Sequence, residues 1–170
     1  EANKLTGLFV SSGATLQVKE SNGSVIPWGD ARAKQIWKKP MVVMVDRYSA
    51  SASEIFAGAI QDYQRGIIIG QKTFGKGTVQ KLDNLSSGQI KITESKFYRI
   101  TGSGMQSKGI NPDITLPSTW DIEEIGESSF DTALPWDEIK PVRYNKFSMG
   151  ASLISRLNDK HLTRVIQSPN

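Results

Sequence analysis

The sequence predicts an α/β fold, and three observations predict it. Met41-Val-Val-Met-Val45 is an uninterrupted apolar run, as expected for a strand buried on both faces. Ile55, Phe56, Ala59, Ile60 and Tyr63 follow at helical spacing, and Ile67-Ile-Ile69 is a second apolar run. Strand, helix and strand in such close succession make a βαβ crossover, which implies a parallel pair. A chain of 170 residues and 18.7 kDa holds one domain, or one domain with an appendage.

The other elements fall around this unit. Leu5, Leu8 and Phe9 have helical spacing and predict the end of a helix. Thr15–Glu20 and Ser24–Ile26 alternate apolar and polar about Asn22-Gly23, whose preference for φ > 0 suits a hairpin turn. The crossover helix is expected to run from the serine-rich stretch at 49–53 to about Gln64, with Gly66 ending it. Gly70 to Gly77 reads as a glycine-punctuated loop, and Thr78–Leu82 as a strand. Gly88–Ile100 predicts a longer strand, bulged or bent near Glu94-Ser95. After a loop over 102–113, Ile114–Leu116 is a short strand before Pro117. From Ser118 the composition changes. Scattered aromatics without a clear period lead to Ala151–Ile166, where helical spacing returns. The boundary therefore falls near Pro117: a core over 1–117 and a partly helical C-terminal appendage over 118–170.

Composition narrows the chemistry. Hydrophobic residues at 38% and charged residues at 22% are a globular balance. No apolar run approaches the ~20 residues of a membrane-spanning helix. There is no cysteine and one histidine, His161, so thiol catalysis, disulfides and multi-histidine metal sites are excluded. A net charge of +4 is spread too thinly for a nucleic-acid stripe: Lys38-Lys39 is the one adjacent basic pair, and no aromatic cluster interleaves it. Residues 121–138 carry seven acids and no base, the pattern of a solvated linker. The first residue is Glu1, with no signal-peptide pattern behind it, so the chain is expected to be part of a longer protein.

Two motifs carry candidate chemistry. Ser49-Ala-Ser-Ala-Ser-Glu54 lies between a buried strand and a helix, where small residues permit a sharp turn and helix N–H groups can hold an oxyanion. Ser51-x-x-Glu54 is equally the pattern of a capping box, a purely structural reading. Gly70-Gln-Lys-Thr-Phe-Gly-Lys-Gly-Thr78 meets three of the four fixed positions of a phosphate loop. It places Gly77 where the Mg²⁺-binding hydroxyl belongs, and a β-rich segment follows instead of a helix. Nucleotide binding is therefore rejected. The loop either presents Lys76 inward or makes a tight turn with a solvated lysine. A serine nucleophile needs a base, and with histidine scarce a neutral lysine can serve. Ser51 and Lys76 follow successive strands of one βαβ unit, so both fall at the same sheet edge.

The stretches Val45-Asp-Arg-Tyr-Ser-Ala-Ser-Ala-Ser-Glu-Ile-Phe-Ala57, Gln61-Asp62-Tyr63 and Thr73-Phe-Gly-Lys-Gly-Thr-Val-Gln80 closely resemble the C-terminal processing proteases, most of all their tail-specific branch. Lys96-Phe97-Tyr98, Lys108-Gly-Ile-Asn-Pro-Asp-Ile114 and Ala133-Leu-Pro-Trp-Asp137 are similar to that family too. The resemblance implies a ClpP/crotonase-like core and a serine endopeptidase that cleaves polypeptides near their C-termini, with no cofactor and no metal. It places the nucleophile on Ser51, the general base on Lys76, the glutamine that orients the lysine on Gln80, and one oxyanion donor on the Ala52 N–H. It also places on Asp62 an aspartate counted with the charge-relay residues. Asp62 lies about three helical turns, or about 16 Å, along the axis from Ser51, and that distance favours a structural role. The branch implies a periplasmic location. The family's segment that supplies the second oxyanion donor is expected just before Glu1, and the family's substrate-tail-binding PDZ domain has no counterpart among these residues. The chain alone is accordingly expected to be folded, nearly inactive and prone to self-association, with polypeptides as partners and no nucleic acid. The rival reading is a non-catalytic interaction remnant of such a protease.

Overall fold

The computed structural model of the chain describes residues 1–118, 120, 124–148 and 151–168. Asp121 and Glu123 of the acidic stretch lie outside the described residues. Two sheets flank a central helix. One is antiparallel, ordered β2-β1-β6-β5, from β1 (Leu16–Glu20), β2 (Val25–Trp28), β5 (Thr78–Asn84) and β6 (Gln89–Tyr98). The other is parallel, ordered β3-β4-β7, from β3 (Val42–Val45), β4 (Ile67–Gly70) and β7 (Ile114–Thr115). Helix α1 spans Ala2–Gly7, α2 spans Ala52–Asp62 and α3 spans Ala151–Gln167, with a 3-10 turn at Glu127–Ser129.

Helix α2 joins the two halves of the core. Ala57, Ile60 and Tyr63 pack with Val45 and Ile68 of the parallel sheet. Ile55 packs against Leu16, Val18 and Phe97 of the antiparallel sheet. A helix with apolar neighbours on both sides needs small residues on its faces, and Ala57, Gly58 and Ala59 are buried. Truncation of Ile60, which is 0% exposed, to Ala would cost about 2–5 kcal/mol.

The expected βαβ unit is present, with β3 and β4 parallel from Val42↔Ile67 to Val45↔Gly70. The hairpin about Gly23 (φ 86°) pairs β1 with β2. A bulge occurs where the sequence suggested one: Val79 faces Ser95 and Gln80 faces Thr93, leaving Glu94 as the extra residue of β6.

Two expectations need correction. Strand β3 is not covered on both faces: Val42 is 54% and Met44 75% exposed, while Val45 is buried. It stands at the edge of its sheet, and the residues it contributes to the core are Val43 and Val45 of its inner face. Helix α2 also ends earlier than Gly66 suggested. Gln64 takes the left-handed position (φ 52°), and the Arg65 N–H reaches back to the Ile60 carbonyl at 2.9 Å. Gly66 answers a different need, since a Cβ there would stand 3.0 Å from the Met41 carbonyl oxygen.

Beyond Pro117, the described residues from Glu127 to Phe147 lie along the core. Glu127 N–H bonds to Phe74 O, Ile139 N–H to Gly102 O, Val142 N–H to Ile100 O and Phe147 N–H to Tyr63 O. Asp137 anchors the middle of this path, bonded to the Tyr98 hydroxyl (2.9 Å) and paired with Lys96 and, at 3.6 Å, Lys19.

Candidate active site

Parallel strands send their C-terminal ends to one edge of a sheet, and the site is built there from the turns after β3 and β4. After β3, the Asp46 carboxylate folds the chain back by accepting the N–H of Tyr48 (3.1 Å) and the N–H (2.9 Å) and hydroxyl (2.9 Å) of Ser49. Ser51 then caps α2 with φ 54° and ψ −109°. This is backbone that a side-chain-bearing residue rarely adopts, at a cost of about 1–3 kcal/mol. After β4, the chain passes through Thr73–Gly77 to reach β5. Its Phe74 N–H bonds to Ser49 O at 3.0 Å, joining the two turns directly.

Glu54 joins them more tightly. Its side chain is 0% exposed. Oε2 accepts the backbone N–H of Ser51 (2.8 Å) and of Lys76 (2.9 Å). Oε1 accepts the Thr73 hydroxyl (2.5 Å) and the Gly75 N–H (2.6 Å). One oxygen therefore holds the backbone of both residues expected to react. Burial pushes the Glu54 carboxyl above the usual range, while bonds from Thr73, Gly75, Ser51 and Lys76 favour its ionised form. The capping-box spacing was visible in the sequence. Glu54's grip on the second turn was not, because Thr73, Gly75 and Lys76 are far from it in sequence.

Ser51 and Lys76 line one open cavity of about 690 Å³, whose walls include Leu16, Val18, Ile55 and Phe97. Ala52, at the first turn of α2, and Gln80, on β5, border the same cavity. A second cavity of about 410 Å³ meets the first at Lys76 and Gln80. An apolar-walled cleft that brings together a serine at a helix N-terminus and a lysine has the shape and the groups to receive an extended peptide. The glycine-lysine loop leads into strand β5, not into a helix that could receive phosphate.

Asp62 is elsewhere. It occupies the last turn of α2, at the opposite end from Ser51, and is buried. Arg99 clamps both its oxygens, through Nε to Oδ2 at 3.1 Å and through Nη2 to Oδ1, and also bonds Gln61 Oε1 at 2.8 Å. Burial pushes the Asp62 carboxyl up, with Arg99 opposing. Thr73 and Gln106 are two buried polar residues of the site that the sequence reading passed over. Thr73 stood in a recognised motif, but Gln106 carried no signal of its own.

Comparison with known proteins bears on what this site is. Residues 1–116 match the model of peptidase family S41, and residues 120–170 match the C-terminal domain of tail specific protease. The chain is 43% identical to a tail-specific protease of Haemophilus influenzae over 99% of its own length, and it spans 26% of that protein. It is 36% identical to a carboxy-terminal-processing protease of Bartonella bacilliformis over 68% of its length and 27% of the relative's. Among solved structures, the photosystem II D1 C-terminal processing protease superposes with a TM-score of 0.59 at 32% identity, over 68% of this chain and 30% of that one. With the family model covering the whole of the site, the chain belongs to peptidase family S41, the serine-type C-terminal processing peptidases.

Proposed function

We propose that the protein containing this chain is a serine endopeptidase with a Ser51–Lys76 dyad that cleaves polypeptides near their C-termini. The observation that carries this reading is the shared hold of Glu54 Oε2 on the N–H groups of Ser51 and Lys76, at 2.8 and 2.9 Å. A carboxylate so used fixes two turns against each other, which a hydrolytic dyad needs and a simple cap does not.

The chemistry follows from the placement. Ser51 Oγ attacks the scissile carbonyl carbon, and Lys76 takes the hydroxyl proton onto Nζ. The carbonyl electrons move onto oxygen, where the Ala52 N–H at the head of α2 stabilises the charge. The tetrahedral intermediate then collapses. The C–N bond breaks, Lys76 returns its proton to the leaving amine, and an acyl-Ser51 ester remains. Water, deprotonated by Lys76, hydrolyses that ester. Gln80 orients Lys76. The substrates are extended polypeptides whose side chains enter the apolar cleft. A periplasmic location, implied by the resemblance of the sequence motifs, is part of the same proposal, and fractionation of cells expressing the tagged full-length protein would test it.

The decisive experiment compares Ser51→Ala, Lys76→Ala and Lys76→Arg in the full-length protein on an unstructured peptide. All three are expected to abolish cleavage while leaving the fold intact, since loss of the serine cap weakens α2 by only ~1 kcal/mol. Arginine is a long basic side chain that does not give up its proton and so cannot serve as a general base. Cleavage retained by Lys76→Arg would overturn the dyad.

A further inference from the structure

We propose that Glu127, in the segment that matches the tail-specific C-terminal domain, is a positioning residue for Lys76. This rests on the dyad reading above and extends it to a part of the chain remote in sequence from either motif.

A glycine stands on either side of Lys76. Gly75 and Gly77 leave the lysine's backbone with little local steric preference, so its orientation must come from outside. On one side it comes from Glu54, as described. On the other it comes from residues beyond the loop. The Gly77 N–H donates to Gln106 Oε1 at 2.9 Å, and the Ser107 N–H donates to Gly75 O at 2.8 Å. The Phe74 carbonyl accepts the backbone N–H of Glu127 at 3.0 Å. Gly77 sits so close to Gln106 that a Cβ there would stand 2.5 Å from the Gln106 backbone nitrogen.

Gln106 is 1% exposed, and its amide has two ends that must not be exchanged. The oxygen faces the Gly77 N–H. The nitrogen Nε2 donates to Glu127 Oε1 at 3.0 Å. An acceptor at position 127 therefore selects the one amide orientation that suits Gly77. With a donor there, the amide would turn its oxygen outward and set its NH₂ group against the Gly77 N–H, two donors face to face. The lysine loop is thus held between two carboxylates, Glu54 on the nucleophile's helix and Glu127 on the C-terminal segment. The first binds the backbone directly and the second acts through Gln106.

Glu127 is half-buried and borders the smaller cavity beside Lys76, so two other roles are open to it: contact with substrate, or support of the fold alone. The three are separable by kinetics. The test uses the full-length protein with Glu127→Gln, Glu127→Ala and Glu127→Lys, and reads kcat, KM and melting temperature on an unstructured peptide. Glu127→Gln keeps an acceptor and is expected to stay within about twofold of wild type. Glu127→Ala is expected to lower kcat about tenfold and Glu127→Lys about a hundredfold, with KM unchanged, because a misplaced base costs rate and not binding. Three outcomes overturn the proposal: kcat within twofold of wild type in both Glu127→Ala and Glu127→Lys, losses confined to KM, or a loss in Glu127→Gln equal to that in Glu127→Lys. If Glu127→Lys lowers the melting temperature, the kcat of Glu127→Ala at wild-type melting temperature decides. Ser51→Ala is measured beside them. Retained cleavage by that variant would defeat the dyad reading itself, whereas a dead Ser51→Ala beside an unimpaired Glu127→Lys defeats the positioning role alone.

Discussion

Helix α2 carries a buried carboxylate near each end, and the two are used differently. Glu54, in the first turn, accepts four neutral donors, three of them backbone N–H groups from two separate turns. Asp62, in the last turn, meets one guanidinium. Both are pushed up by burial, so a shifted titration does not distinguish them. Geometry does. The partners of Glu54 include the backbone of Ser51 and Lys76. The partner of Asp62 is Arg99, just beyond β6, which ties the far end of the helix to the antiparallel sheet. The lesson is that a perturbed carboxylate identifies a site only through what it holds.

Removing Glu54 should therefore have the largest effect. Glu54→Gln keeps the shape but turns an NH₂ group toward N–H donors, leaving at least one buried donor unpaired at about 1–3 kcal/mol. Because two of those donors are the backbone N–H groups of Ser51 and Lys76, the proposed dyad, we expect turnover to fall about 10²-fold, with a lower melting temperature. An unchanged kcat would mean that the two turns keep their relation without the carboxylate, and the contrast between the two ends of α2 would collapse.

Asp62 breaks in another way. Asp62→Asn leaves the Arg99 guanidinium without its opposite charge, and losing one partner of a buried pair costs at most about 3–5 kcal/mol, an upper bound here because Arg99 keeps its bond to Gln61. Replacing Arg99 as well, with Asp62→Asn/Arg99→Gln, removes the orphan charge and should restore part of the stability. Turnover is expected to follow stability through both steps. A loss of turnover that persists in the double variant at a recovered melting temperature would place Asp62 in the reaction.

How much of this was legible in the sequence depends on how far each partner lies along the chain. The hairpin at Asn22-Gly23, the crossover from β3 to β4 and the bulge at Glu94 each arise within one stretch, and periodicity reveals them. The capping half of Glu54 is local in the same sense. Its hold on Thr73, Gly75 and Lys76 is not, since a carboxylate's second set of partners leaves no pattern at its own position. The exposure of Val42 and Met44 was hidden for a related reason: an apolar run gives a strand but not the number of layers that cover it. The described residues of 124–148 had no period to read because hydrogen bonds to distant loops, not a regular element, set their path, whereas α3 beyond them showed its helical spacing.

The pH dependence sharpens the comparison further. With its carboxyl raised by burial, Glu54 takes up a proton above the pH at which an ordinary glutamate does so. The protonated group can no longer accept all four bonds, so activity should begin to fall there. Stability moves the other way. A carboxyl raised in the folded state binds its proton more tightly folded than unfolded, so between the ordinary and the raised value this contribution grows as pH falls. Asp137 is different again. Burial opposes its ionisation, but bonds from Lys96 and Tyr98 outweigh burial and hold it below the usual range. Its anchoring contribution is thus kept until the pH falls below that range. Cleavage should therefore fail on the acid side while the melting temperature holds, as parallel activity and thermal scans would show. Simultaneous loss of both would assign the acid limb to unfolding.

The smallest expected effect concerns the two left-handed residues that bound α2. Ser51 at φ 54° and Gln64 at φ 52° pay the same kind of conformational cost, since both carry a Cβ where glycine fits best. At Ser51 the strain accompanies the turn that brings the proposed nucleophile to the cavity it shares with Lys76. At Gln64 it only ends the helix, two residues short of Gly66. Gln64→Gly should relieve that strain, partly offset by the greater freedom of the unfolded chain, for a net gain of about 0.5 kcal/mol in denaturant unfolding. Peptide cleavage should not change. A stability loss would mean that the Gln64 side chain contributes more than its backbone costs. A change in kcat would be the more instructive failure, because it would show that the far end of α2 reaches the dyad through the helix, and the separation between its two ends would no longer stand.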